Sequence, residues 1–281
     1  MARTATRTAT RSASAHTGTG TGTARSGPAR GVRTAAVAAA VLVAVAGLAA
    51  CGASAGDDED PDHRTFALQG RTLTIDSDDS ALDIVAADTH RAGEVRVTRW
   101  FRGSVVVGGT PEVTWSLRDD RLRLRLKCSG LLTDCAAGHR VEVPRGVAVE
   151  VEDGDGSVRA RGFRDPLSVR TADGSVHVTD STGPLDLRTA DGSMRAEVSS
   201  RTVRAETQDG SVSLALGVVP DLVRGRSADG SVTIAVPRAA YRVTTGAQDG
   251  GVDVSVPRDD TSSHVIAART EDGRITVRTA N

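Results

Sequence analysis

Lysine is almost absent from this chain: among 35 basic side chains only Lys127 is not an arginine, and no G-x-x-x-x-G-K-[ST] phosphate loop exists. Aromatic residues are nearly as scarce, with three Phe, two Trp and one Tyr making 2% of the 281 residues. Beyond residue 150 only Phe163 and Tyr241 remain, too few for the ring-stacking clefts of glycan-active enzymes. Cys128 and Cys135, as C-x₆-C, lack the short ligand spacing of zinc sites and have no second Cys/His pair, and the six histidines, at 16, 63, 90, 139, 177 and 264, show no paired metal spacing. The HExxH, G-x-S-x-G and strand-turn-helix GxGxxG signatures are missing as well.

What is present is a turn that keeps returning. Asp-Gly occurs at Asp155, Asp173, Asp191, Asp209, Asp229, Asp249 and Asp272, in steps of 18 to 23 residues. Apolar residues recur at fixed offsets around it. Six positions before the Asp stand Leu167, Leu185, Val203, Val223, Val243 and Ile266. Three positions after it stand Val158, Val176, Met194, Val212, Val232, Val252 and Ile275, and five after it Ala160, Val178, Ala196, Leu214, Ile234, Val254 and Val277. The residues between alternate polar, which is the period-2 pattern of strands with one buried face. Each repeat therefore reads as two short strands joined at Asp-Gly, where Gly supplies the positive φ of the bend.

Two all-β architectures fit. In an antiparallel meander or barrel, each Asp-Gly closes a hairpin. In a single parallel β-solenoid of about 18–20-residue coils, like residues stack on like. The columns favour the solenoid, since a barrel has no need of identical repeats.

The regularity of the seven aspartates bears on their role. Carboxylates in a glycosidase act as one distinct pair, whereas these are equivalent, so the turn reading is preferred to catalysis. As Ca²⁺ ligands, one Asp per coil supplies too few oxygens, and the calcium nonapeptide pattern is absent. Stacked carboxylates repel by about 1 kcal/mol in water; Arg170, Arg188, Arg226 and Arg269, each three positions before an Asp, are expected to offset this. Ser157, Ser175, Ser193, Ser211 and Ser231 follow the turns without a partnered His and are not nucleophiles. Neither an enzyme nor a cofactor is implied.

The opposite end of the chain indicates location. Residues 1–50 hold six Arg and no acid, and Thr34–Ala50 is an uncharged Ala/Val-rich run, the pattern of a signal peptide behind a low-complexity region of residues 1–33. Leu48-Ala49-Ala50-Cys51-Gly52 resembles the lipobox of bacterial lipoproteins, which implies a diacylglycerol on the Cys51 thiol. An uncleaved membrane anchor is the alternative, though 17 residues is short for a span. Either places the domain at the extracytoplasmic face of the cell membrane. Residues 51–63 read as an acidic flexible tether. Without residues 1–50, 36 acidic side chains face 29 basic ones, a net charge of −7 that gives no reason to expect nucleic acid as a partner. The two remaining cysteines, Cys128 and Cys135, form an even pair in an exported chain and are expected to be disulfide-bonded. Residues 64–150 hold less regular strands (72–75, 81–86, 94–101, 112–117 and 121–127) that begin and cap the stack, and 151–281 form the Asp-Gly repeats.

The run Arg121-Leu-Arg-Leu-Arg-Leu-Lys-Cys128, then Cys135, then His139-Arg-Val-Glu-Val-Pro144-Arg-Gly146-Val-Ala-Val-Glu-Val-Glu, flowing into Asp-Gly-Ser-Val, resembles a bacterial family. Its members are β-strand-repeat surface lipoproteins of unknown function, catalogued as "putative adhesins", and the likeness covers residues 64–281. The resemblance implies a surface-exposed solenoid and brings no catalytic residues. The functional expectation is a lipid-anchored adhesin-like or scaffold protein whose partner is a protein or cell-wall polymer. An accessory sensor of envelope stress is the alternative, and a glycan-active β-helix enzyme the third.

Overall fold

The computed structural model describes residues 60–88 and 93–280. The signal region, Cys51 and most of the proposed tether lie outside the described residues. Twenty-one strands and no helix are found among the described residues.

Alternating sequence produces alternating burial. The irregular N-terminal part holds β1 (Asp62–Ala67), β2 (Thr72–Ser77), β3 (Ala81–Ala87), β4 (Glu94–Gly108), β5 (Glu112–Arg118), β6 (Arg121–Lys127) and β7 (Gly130–Pro144). The repeats follow as strand pairs, the first of each pair before the Asp-Gly turn and the second after it. They are β8 (Ala148–Asp153) with β9 (Val158–Arg161), β10 (Leu167–Asp173) with β11 (Val176–Thr179), and β12 (Leu185–Asp191) with β13 (Met194–Val198). Next come β14 (Thr202–Asp209) with β15 (Val212–Leu216) and β16 (Leu222–Arg226) with β17 (Val232–Val236). Last are β18 (Arg242–Asp249) with β19 (Val252–Val254), and β20 (Val265–Asp272) with β21 (Ile275–Thr279). β8 runs through the position where the irregular sequence gives way to the repeats.

Each coil places one strand in each of two sheets, and neighbouring coils pair in parallel, so the repeats form a β-solenoid rather than a meander. The core is the space between the sheets. One wall carries the columns Val149-Leu167-Leu185-Val203-Val223 and Val151-Val169-Leu187-Ala205-Gly225. The other carries Val158-Val176-Met194-Val212-Val232 and Ala160-Val178-Ala196-Leu214-Ile234. Their side chains are almost completely buried. The columns compensate in size: where the first wall shrinks to Gly225, an added Cβ would meet Val232 and Ile234 of the second.

Coil order departs from sequence order at both ends. The last coil, β20–β21, is inserted between β16–β17 and the penultimate coil β18–β19, which becomes the end of the stack. At the other end β2–β3 sits between β8–β9 and the β6–β7 layer. The reason at the C-terminal end is visible in the residues. β20–β21 supplies Ile266, Ala268, Ile275 and Val277, all inaccessible to solvent, whereas β18–β19 has Thr245 and Ala247 facing inward and leaves Val252 46% exposed. The weaker coil can tolerate an open side, and a stack needs such an end. Tyr241 pins the crossing: it is buried, its hydroxyl donates to the Pro237 carbonyl at 2.7 Å, and its ring meets His264 edge-on at 6.3 Å.

The N-terminal end is closed by antiparallel strands. β4 lies between β1 and β7, and β5 pairs with β6. Phe66 and Trp115 pack edge to face at 6.3 Å beneath the core, with the Arg99 guanidinium 4.6 Å from the Trp115 ring centre. β4 extends past the strand read from sequence at 94–101, and β7 was not among the strands read at all, since Gly103, Gly108 and Gly130 interrupt the alternation in their outer halves. Cys128 and Cys135 are bonded, with Cα atoms 6.4 Å apart, closing the segment that leads into β7.

Candidate functional site

Six of the seven turn aspartates form one row. Register sets Asp173 beside Asp191, Asp191 beside Asp209, Asp209 beside Asp229, Asp229 beside Asp272 and Asp272 beside Asp249, all exposed. The neighbouring carboxyls raise Asp191, first through contact with Asp209 and then through partial desolvation and Asp173; partial desolvation, followed by Asp209, raises Asp229. Asp155 stands apart. Its amide donates to the Asp78 carbonyl at 3.0 Å, and its charge falls on Asp79 and Asp153.

The arginines expected to relieve this row turn elsewhere. Arg188 pairs with Asp186 at 2.9 Å, Arg226 approaches Glu206 and Glu271 at 3.8 and 3.9 Å, and Arg170 bonds the Ser168 hydroxyl. Three residues along an extended strand is about 10 Å, too far for a direct pair. Among the described residues no group of three or more Asp, Glu, His or Cys side chains is gathered as metal ligands.

Beneath the row lies a feature that the sequence reading missed. Two positions before the turn Asp, Asp153 and Ala247 stand in two of the seven repeats, and in the other five a hydroxyl faces inward: Thr171, Thr189, Thr207, Ser227 and Thr270 are all buried. Each donates to carbonyls of the adjoining coil's turn, as Thr171 does to Gly154 at 2.8 Å, Ser227 to Gly210 at 2.8 Å and Thr270 to Gly230 at 2.8 Å. The turn amides continue the ladder, Gly192 donating to Asp209 and Gly210 to Asp229. Coils approach so closely here that a Cβ on Gly210, whose φ is +139°, would overlap the Gly192 carbonyl. The turn is thus built for stacking as much as for bending. Its legible signal was a Thr or Ser two positions before Asp-Gly, present in five of the seven turns.

At the position of the first hydroxyl stands Asp153. It is 8% exposed, its oxygens lack a well-formed hydrogen bond, and burial pushes its pKa up to about 6, against partial relief from Ser77 and the Gly156 amide. A group whose folded pKa exceeds its unfolded value, near 3.8, adds stability below the unfolded pKa that is lost as pH rises through 6. Asp153→Thr, which restores the column, is therefore expected to raise stability at pH 7 by about 2 kcal/mol, with the gain vanishing near pH 4. Urea unfolding at both pH values measures this, and a gain equal at both would refute it. His139 has the opposite sign. It is 1% exposed without a hydrogen-bond partner, and burial, aided by Arg99, depresses it to about 4, so it costs stability as pH falls from 6.5.

A profile covering residues 54–280 matches Toastrack DUF4097. The chain belongs to the Toastrack DUF4097 family. Solved structures similar to this Toastrack chain include a "putative adhesin" from Bacteroides fragilis, 12% identical, covering 79% of this chain and 98% of that one with a TM-score of 0.49. A "putative adhesin" from Parabacteroides merdae is 14% identical, with 79% and 97% covered and a TM-score of 0.40. A "putative cell adhesion protein" from Clostridium sporogenes is 10% identical, with 79% and 100% covered and a TM-score of 0.35. No curated protein matches this Toastrack chain.

Proposed function

We propose that this Toastrack protein is a non-enzymatic, adhesin-like scaffold at the outer face of the cell membrane, held by a lipid on Cys51. The observation that carries the reading is the row of turn aspartates. Equivalent side chains, repeated in register and facing solvent, form an extended surface instead of converging with a base on one reacting centre. Solenoids present such surfaces to elongated partners. The aromatics of the repeats support the same view: Phe163 and Tyr241 are both buried, so neither offers a sugar platform. The partner is a protein or wall polymer met along an outer face.

Crosslinking groups placed on the outer sheet faces in living cells test this. Recovery of wall polymer or of proteins from other cells is the expected result. Capture of a single membrane signalling protein would replace adhesion with an envelope-stress sensor. Cys51→Ala is expected to release the chain from the membrane fraction, and unchanged size and partition would instead favour an uncleaved anchor.

A further inference from the structure

The net negative charge conceals a cationic strip. On the outward side of β10, β12, β14, β16 and β20 stand Arg170, Arg188, Arg204, Arg224, Arg226 and Arg269, at least one on every strand. Register aligns Arg170, Arg188, Arg226 and Arg269 in one row with Glu206 among them, and in the next row sets Arg204 between Asp186 and Arg224. Four inter-strand steps make the strip about 19 Å long. Asp186, Glu206 and Glu271 answer part of this charge through Arg188 and Arg226. Among the described residues, Arg170, Arg204, Arg224 and Arg269 have no carboxylate at ion-pair distance.

Arginine richness alone does not produce this. In the N-terminal part of the same sheet, Arg121, Arg123 and Arg125 all converge on Asp76, and Glu152 and Asp78 take further contacts. There the charge is neutralised, whereas along the repeats it is left open. A depression of about 460 Å³ lies between Arg170, Arg188, Glu206 and Arg226, and a second of about 350 Å³ lies beside Arg224 and Arg269.

The chemistry of the strip narrows its partner. A guanidinium fork matches phosphate oxygens two at a time, and every cation here is Arg. No aromatic residue stands on the strip, so nothing stacks on a nucleobase. No large apolar side chain is exposed there for insertion into a bilayer. The row of turn aspartates flanks one side at about 10 Å, near one Debye length, which would repel a broad anionic surface yet confine a thin one along the stack.

We propose that this strip binds a linear phosphodiester polymer of alternating polyol and phosphate, laid across the strands parallel to the solenoid axis. The proposal rests on the adhesive reading and names its polymer. Binding of the purified full-length protein to synthetic poly(glycerol phosphate) is the test. Arg204→Glu with Arg224→Glu should weaken it about tenfold or more and lower the salt slope by about 2. The same charge change on the opposite sheet, Arg159→Glu with Arg278→Glu, should leave the affinity within about twofold, since a non-contacting charge acts only through screened fields. Arg204→Gln with Arg224→Gln repeats the loss without introducing acids, and thermal melting checks that each variant folds. Equal loss in both pairs, no binding by the wild type, or tighter binding to phosphatidylglycerol vesicles or oligothymidylate would overturn the proposal. If crosslinking in cells recovers wall material while the purified protein ignores this polymer, the assignment falls and adhesion stands.

Discussion

Leu187→Asp is expected to abolish cooperative folding of the repeats. Leu187 is completely buried between Val169 and Ala205, so its neighbours in the column are apolar. A carboxylate there must be desolvated without a partner or take up a proton, and must also leave the space of a Leu unfilled. The combined cost is about 5 kcal/mol or more, comparable with the whole stability of an ordinary domain. Leu187→Ala isolates the packing part, at about 2 to 5 kcal/mol. Circular dichroism melting decides the matter. A native-like transition for Leu187→Asp would mean that the columns do not hold the fold together.

The second large effect concerns the inserted coil. In a solenoid stacked in sequence order, removing the last repeat costs one interface and leaves the rest intact. Here, ending the chain after Thr261 removes β20 and β21, which pair with β16 and β17 on one side and β18 and β19 on the other. Two interfaces go at once, and β18 and β19 lose every strand neighbour they have in these sheets. Hydrogen exchange should then show residues 242–254 unprotected although they are still present. The melting temperature should fall by about 10 °C, since two interfaces of a few kcal/mol vanish. Protection of 242–254 at the level of the full chain would show that β18 can dock directly on β16 and that the inserted order is not required.

Both experiments probe contacts of different legibility. The columns could be read from the chain because stacking like on like leaves a period: Leu167, Leu185 and Val203 recur at one offset from Asp-Gly, and the structure sets them side by side. The parallel solenoid follows from the same period, since only coil-on-coil stacking makes every repeat solve the same packing problem. The hydroxyls two positions before Asp-Gly recur in five of the seven turns, but alternation marks Thr171 or Thr189 only as an inward position; their donation to the neighbouring turn appears once two coils are adjacent.

What the amino-acid order determined by itself is local and repeated: strand spacing, turn position, inward columns and the placement of four of the six aromatic residues before residue 150. Coil order was decided by tertiary structure alone. β18 and β20 carry the same offset pattern, Val243 and Ile266 each six positions before an Asp-Gly, so the sequence does not say which of them pairs with β16; the structure places β20 there and leaves the less apolar β18 at the open side. The cationic strip was likewise beyond the sequence. Net charge sums over all faces, and only the assembled sheet shows that Asp186, beside Arg204 in register, is turned to Arg188 and that Arg224 has no ion-pair partner among the described residues.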